Sequence, residues 1–205
     1  LSWLLSCFLL VWIMNLYNFM DGVDGMAASG TIFACIALII ALIITSGFSN
    51  LVILLSLLLF TSLGFVLYNW PPASIFMGDS GSVFLGYFFG ALIVISMIDG
   101  DISFWTWLIV FSYFIGDTQT TILMRLALSK NWYKPHRSHA YQNLARITGS
   151  HLKVTGGVTL YNIIWILPLT LLLALKPEMG VILTMLAICP ALVVAYKYGP
   201  VLSSS

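Results

Sequence analysis

The chain has 205 residues, of which 60% are hydrophobic and 7% charged, with a formal net charge of +1. Its mean hydropathy of +1.04 excludes a water-soluble domain. About 20 apolar helical residues cross a hydrocarbon core of about 30 Å, so the long apolar runs are read as bilayer spans.

In chain order, residues 1–14 look like a span cut short, and complete spans are expected at about 26–46, 50–68, 83–98, 104–125, 156–175 and 180–196. The chain opens Leu1-Ser2-Trp3, without Met or a basic segment, which argues against a signal peptide. The expectation is the C-terminal portion of a longer chain, forming over residues 1–205 a single integral-membrane domain. Backbone groups in lipid must be satisfied internally, and runs of helical length favour helices over barrel strands. The expected fold is an all-α polytopic transmembrane bundle of about six complete spans plus one partial N-terminal span. Cys7, Cys35 and Cys189 lie singly in apolar runs, without metal or disulfide spacing, and are expected to be small buried hydrophobes.

The basic residues are distributed unevenly. Arg125, Lys130, Lys134, Arg137, Arg146 and Lys153 fall in or beside one connection, 126–153. The positive-inside rule makes that connection cytoplasmic. Alternating sides from there puts 15–25 and 69–82 on the same face, and the short loops 46–50, 97–103 and 176–179 on the other. Three polar clusters therefore converge on one face. They are NLYNFMDGVDG (15–25), NWPPASIFMGDSGS (69–82) and KPHRSHAYQNLAR (134–146).

In the first cluster Asn15, Asn18, Asp21 and Asp24 recur every third residue. On a helix, Asp21 and Asp24 would face the same way, and two such acids repel unless a cation lies beside them. Helix capping ahead of Ala27 is the alternative. In the second cluster Asp79 sits between Gly78 and Gly81, before a helix expected to open at Val83. Free N–H groups there suit phosphate, and a hard cation bridging carboxylate and phosphate is the usual magnesium arrangement. The alternative is an N-cap role for Asp79 or Ser80. Asp117 lies within the 104–125 run, where a charge must face protein, partner or water. Either it pairs structurally inside the bundle, with Arg125 two turns on, or it binds ligand. In the third cluster His136 and His139 flank Arg137. Their spacing would suit zinc, but no further ligand of suitable type is near in sequence. Two imidazoles with a guanidinium fit a phosphate or diphosphate better. His151 stands alone and reads as a surface residue.

Carboxylates for a metal and cations for an anion on one face are the two parts phosphoryl transfer needs. No Walker-type or kinase signature is present. Two other classes compete. An Asp117–Arg125 pair could belong to a transporter, and Asp79 with Asp117 could form an intramembrane aspartyl protease dyad.

NLYNFMDGVDGM resembles the Asn-x-x-Asn-x-x-Asp-Gly-x-Asp-Gly signature of the polyprenyl-phosphate N-acetylhexosamine-1-phosphate transferases. FMGDSGSVFLG resembles their second signature, and PHRSHAYQ their His-containing loop. The third motif looks more like the O-antigen and capsule branch than the phospho-MurNAc-pentapeptide translocase. The resemblance implies an enzyme of a bacterial cytoplasmic membrane, with its site on the cytoplasmic face. It implies transfer of an N-acetylhexosamine-1-phosphate from a UDP-sugar to polyprenyl phosphate, with Mg2+ as cofactor and Mn2+ as the alternative. It would give Asp79 to the metal, and Asp21 and Asp24 to the nucleotide pocket with Asn18 and Asn69 shaping it. His136, Arg137 and His139 would go to the diphosphate or the leaving UMP. Asp117 and Arg125 fit a pattern of the GlcNAc-type branch. A homodimer is compatible with the family, and no nucleic-acid partner is expected. The family's earlier Asp-Asp motif has no match in residues 1–14, in keeping with the expected truncation.

Overall fold

In the computed structural model, which describes residues 2–128 and 137–200, the described residues form ten α-helices and no strand. They are α1 (Ser2–Met20), α2 (Met26–Thr45), α3 (Asn50–Asn69), α4 (Gly78–Asp99), α5 (Phe104–Val110), α6 (Ser112–Leu128), α7 (Ala140–Thr148), α8 (His151–Tyr161), α9 (Leu167–Leu175) and α10 (Gly180–Tyr198). A π-helical turn, Asn162–Ile166, joins α8 to α9. Among the described residues six stretches are long and apolar enough to cross a bilayer: α1, α2, α3, α4, the α8–α9 unit and α10.

Several boundaries differ from expectation. The run 104–125 is not one helix but is interrupted at Phe111, between α5 and α6. The N-terminal stretch is a helix of 19 residues that takes in Asn15 and Asn18. The apolar run ends at Met14, but the helix continues through the polar turn to Met20, and within it Asn15 Nδ2 donates back to the Val11 carbonyl at 3.0 Å.

α1 packs mainly on α4, α2 on α3 and on α9, and α6 on α10. The α1–α4 contact is close because Gly86 has no side chain. A Cβ there would stand 2.5 Å from Met14 Cα and 2.8 Å from the Ile13 carbonyl oxygen. Gly86 and Gly90 form the small-xxx-small spacing that lets membrane helices approach. Beneath the polar end lies an aromatic cluster. Tyr17 stacks on Phe89 at 5.4 Å between ring centroids and meets Phe111 and Phe114 edge-on. The buried Trp107 indole donates to Ser96 Oγ at 2.9 Å, so the core leaves that polar group satisfied. Large apolar side chains such as Phe8, Phe60, Leu67 and Ile164 point outward, as lipid-facing positions should. Cys35 is buried as expected, but Cys7 and Cys189 are exposed, because they fall on outward faces of α1 and α10.

Candidate functional site

The C-terminal ends of α1, α3, α6 and α10 and the N-terminal ends of α2, α4, α7 and α8 gather at one end of the bundle. Hydrogen bonds tie them together there. Ser82 Oγ donates to Asn18 Oδ1 at 2.9 Å, joining α4 to α1. Asn69 is buried; its Oδ1 accepts from the Gly25 N–H at 3.1 Å and its Nδ2 donates to the Ile75 carbonyl at 2.9 Å. Asn143 Nδ2 donates to the carbonyls of Tyr198 and Gly199, at 2.6 and 2.9 Å, fixing α7 to the end of α10. At the opposite end Ser46 Oγ meets the Asp101 carbonyl at 3.4 Å. The described parts of all three polar clusters thus share one face, as the threading predicts.

The stretch 21–25 is a tight turn between α1 and α2, not a helix. Asp21 and Asp24 therefore have different neighbours rather than facing the same way. Asp21 lies beside the start of α4, where the Gly78 N–H bonds its carboxylate and Asp79 is the nearby acid. Burial, reinforced by repulsion from Asp79 and opposed by the Gly78 bond, raises the Asp21 pKa from 3.8 to about 6. Asp79 is exposed in the first turn of α4. That helix begins at Gly78 rather than Val83, and its N-cap is Met77, without a side-chain cap bond. Asp79 is accordingly not the cap, and its carboxylate is left facing outward next to Asp21.

Asp24 is held from two sides. Its Oδ2 accepts from the Ala73 N–H at 3.1 Å, and its Oδ1 lies 3.2 Å from His151 Nδ1. Its carbonyl accepts from Thr155 Oγ1 at 2.7 Å. Gly25, at φ 73, turns the chain into α2, a backbone conformation that glycine adopts without steric cost. Gly22 allows a close approach: a Cβ there would stand 2.4 Å from both Tyr141 Oη and Gln142 Nε2. The Gly22 N–H donates to Tyr141 Oη at 3.1 Å, and Tyr141 Oη donates to the Phe19 carbonyl at 2.5 Å. Burial and the negative charge of Asp117 push the Tyr141 phenol well above its usual range, so it stays a neutral donor.

Asp117 is 1% exposed. Its Oδ1 accepts from Thr121 Oγ1 at 3.1 Å and from the Ala140 N–H at 3.0 Å, and its Oδ2 accepts from the Tyr141 N–H at 3.2 Å. A carboxylate on the free N–H groups of a helix start satisfies orphan donors and complements the helix dipole. Asp117 therefore anchors α7. Since its contacts lie within α6 and α7 while Asp79 neighbours Asp21, the Asp79–Asp117 dyad of the protease reading is not formed. His139, at the N-cap of α7, is buried at 2% exposure. Its Nδ1 is 3.4 Å from Asp117 Oδ1, and its ring packs between those of Phe19 and Tyr141. Arg137 is exposed, and Arg146 Nη2 donates to its carbonyl at 2.6 Å. Arg125 is half-buried in the last turn of α6. His136 lies outside the described residues.

A cavity of about 200 Å³ opens among Gly22, Val23, Arg137, Gln142, Arg146 and His151. Its lining combines two arginines and a histidine with Gly22 and Val23 of the turn that carries Asp21 and Asp24. Arg137 reaches it and the buried His139 does not. His151, which reads from sequence as a lone surface residue, is exposed but sits against Asp24. No sequence signal joins them, because 127 residues separate the two. For a divalent cation, Asp21 and Asp79 offer two adjacent carboxylates, the number that suits magnesium when substrate phosphates and water complete its shell. Among the described residues no group of three or more His, Cys, Asp or Glu is placed to hold a metal by itself. The residues fit a cation shared with a phosphorylated ligand rather than a closed protein cage.

Fold and site together define a polytopic membrane protein with paired carboxylates and a basic cavity at one end of its helices. Residues 1–97 match the sequence profile of glycosyl transferase family 4. The chain is 34% identical over 157 residues, 74% of its length and 43% of the relative's, to a probable undecaprenyl-phosphate N-acetylglucosaminyl 1-phosphate transferase of Bacillus subtilis. It is 37% identical over 122 residues, 60% of its length and 32% of the relative's, to a phospho-N-acetylmuramoyl-pentapeptide-transferase of Gloeothece citriformis. It is also 28% identical over 145 residues, 69% of its length and 44% of the relative's, to an undecaprenyl-phosphate alpha-N-acetylglucosaminyl 1-phosphate transferase of Thermotoga maritima. The matched family and these relatives agree with the superfamily that the chain's three motifs resemble. The chain spans less than half the length of these relatives.

Proposed function

We propose that the full-length protein transfers an N-acetylhexosamine-1-phosphate from a UDP-sugar to a polyprenyl phosphate at the cytoplasmic face of a bacterial inner membrane. The observation that carries this reading is the meeting of Asp21 and Asp79 at the start of α4, at the same end of the bundle as a cavity lined by Arg137 and Arg146. Acids for a divalent cation and fixed cations for an anion stand together where a lipid phosphate and a soluble nucleotide sugar can both reach. The names of the Bacillus and Thermotoga relatives point to the same chemistry.

In this reaction an oxygen of the lipid phosphate attacks the sugar-bearing phosphorus of the UDP-sugar. The bond to the bridging oxygen breaks, UMP leaves with that oxygen, and a lipid-linked sugar diphosphate remains. Asp79, with Asp21 beside it, would hold Mg2+ or Mn2+, which when bound neutralises charge on the diphosphate oxygens. Arg137 would pair with the diphosphate bidentately. His136 and His139 would assist the leaving UMP, and His139 would have to turn from its buried position to touch it. Asp24 would receive the nucleoside end in the turn that Asn18 and Asn69 shape. Asp117 would support this site by anchoring α7, and Arg125 would lie at its margin. Initiation of an O-antigen or related envelope polysaccharide, and a homodimeric assembly, are parts of the same reading.

The test is a screen of UMP release from several UDP-N-acetylhexosamines by the full-length protein with polyprenyl phosphate in detergent. Release that requires both substrates and stops with EDTA is expected. No release with any of the sugars, or release indifferent to EDTA, contradicts the proposal.

A further inference from the structure

His151 belongs to none of the three motifs, yet its side chain contacts the carboxylate of the second aspartate of the turn. It is the first residue of α8, whose start is fixed by Ser150 Oγ accepting from the Lys153 N–H at 3.3 Å. His151 and Thr155 are four residues apart, so they share a helix face, and both grip Asp24. Thr155 Oγ1 donates to the Asp24 carbonyl at 2.7 Å. His151 Nδ1 stands 3.2 Å from Asp24 Oδ1 and 3.4 Å from its backbone nitrogen. The ring can therefore hold Asp24 in either form: with a proton on Nδ1 it donates to the carboxylate, and without one it accepts from the N–H. On the far side, Asp24 Oδ2 is held by the Ala73 N–H. Each carboxylate oxygen still has acceptor capacity for a ligand. His151 also lines the cavity that Arg137 and Arg146 line.

We propose that His151 is a positioning residue of the nucleotide pocket: through Nδ1 it sets the orientation of the Asp24 carboxylate toward the nucleoside end of the UDP-sugar. The inference rests on the transferase reading above. It concerns ground-state recognition of one substrate, and so separates the two substrates of the reaction.

The experiment is steady-state UMP release by the full-length protein carrying His151→Ala, His151→Asn or His151→Gln, with the thermal midpoint of each variant. Losing a hydrogen bond to a charged group should raise the KM for the UDP-sugar roughly tenfold in His151→Ala. The KM for the lipid phosphate, kcat and the midpoint should stay near those of the unsubstituted protein. The Asn amide occupies the place of Nδ1 and can donate or accept, so His151→Asn should recover most of the loss. The Gln amide reaches the place of Nε2 instead, so His151→Gln should not. An unchanged UDP-sugar KM in His151→Ala, parallel changes in both KM values with a lowered midpoint, or an Asn variant no better than Ala would overturn the inference and leave the transferase reading standing. Absence of UMP release from the unsubstituted protein would overturn the transferase reading and this inference with it.

Discussion

Substitution of Asp117 by Asn separates anchoring from ligand binding. In the structure the carboxylate serves Thr121 Oγ1, the Ala140 N–H and the Tyr141 N–H. An Asn side chain can keep Oδ1 toward Thr121 and Ala140, but its Nδ2 then faces the Tyr141 N–H, donor against donor. One hydrogen bond to a charged acceptor, about 1.5–3 kcal/mol, is lost, and a buried N–H is left unsatisfied at about 1–3 kcal/mol. Taking about 3 kcal/mol in all, and about 2–4 °C per kcal/mol for a chain of this size, the unfolding midpoint should fall by roughly 6–12 °C. The assay is thermal unfolding in detergent, followed by tryptophan fluorescence. Activity measured well below the midpoint should keep an unchanged KM for the UDP-sugar. A midpoint equal to that of the unsubstituted protein together with a raised KM would refute the anchoring argument and make Asp117 a ligand-binding residue.

Two further outcomes follow from the same geometry. Gly22→Ala drives a methyl group into Tyr141 Oη, which is pinned by Phe19 and by Gly22 itself. Overpacking of this kind costs about 1–3 kcal/mol, and Tyr141→Phe in the same chain should recover part of it, whereas strictly additive losses in the double variant would show that the contact is not the cause. The raised Asp21 pKa sets a pH window. Without a cation, the stability this group contributes is full below about 3.8 and is lost as pH rises through about 6. A cation on the ionised carboxylate reverses that preference, so a fixed, subsaturating Mg2+ concentration should raise the thermal midpoint more at pH 7.5 than at pH 5.5. Equal shifts at the two pH values would mean that Asp21 takes no part in cation binding.

Much of this architecture can be read from the sequence. Apolar length and the basic 126–153 connection suffice to place the three clusters on one face, since bilayer thickness and charge asymmetry act on composition alone. The interruption at Phe111 is not legible, because a break without Pro or Gly leaves the hydropathy unchanged. The start of α4 at Gly78 is likewise hidden, since Met77 at its N-cap carries no capping side chain. Asp79 and Asp21 are visible as acids among glycines, but their adjacency depends on α1 and α4 closing over Gly86. Asp117 reads as an intramembrane charge with two open roles, and only the position of the α7 N-terminus chooses between them. The pairing of His151 with Asp24 is a product of the tertiary fold alone.

The claim that a divalent cation held by Asp79 meets the diphosphate is tested most directly by Mg2+-dependent UMP release from full-length protein carrying Asp79→Asn. The side chain is exposed and caps nothing, so expression and thermal midpoint should be kept while release falls to background. Release at the unsubstituted rate, with the same dependence on Mg2+, would contradict the account.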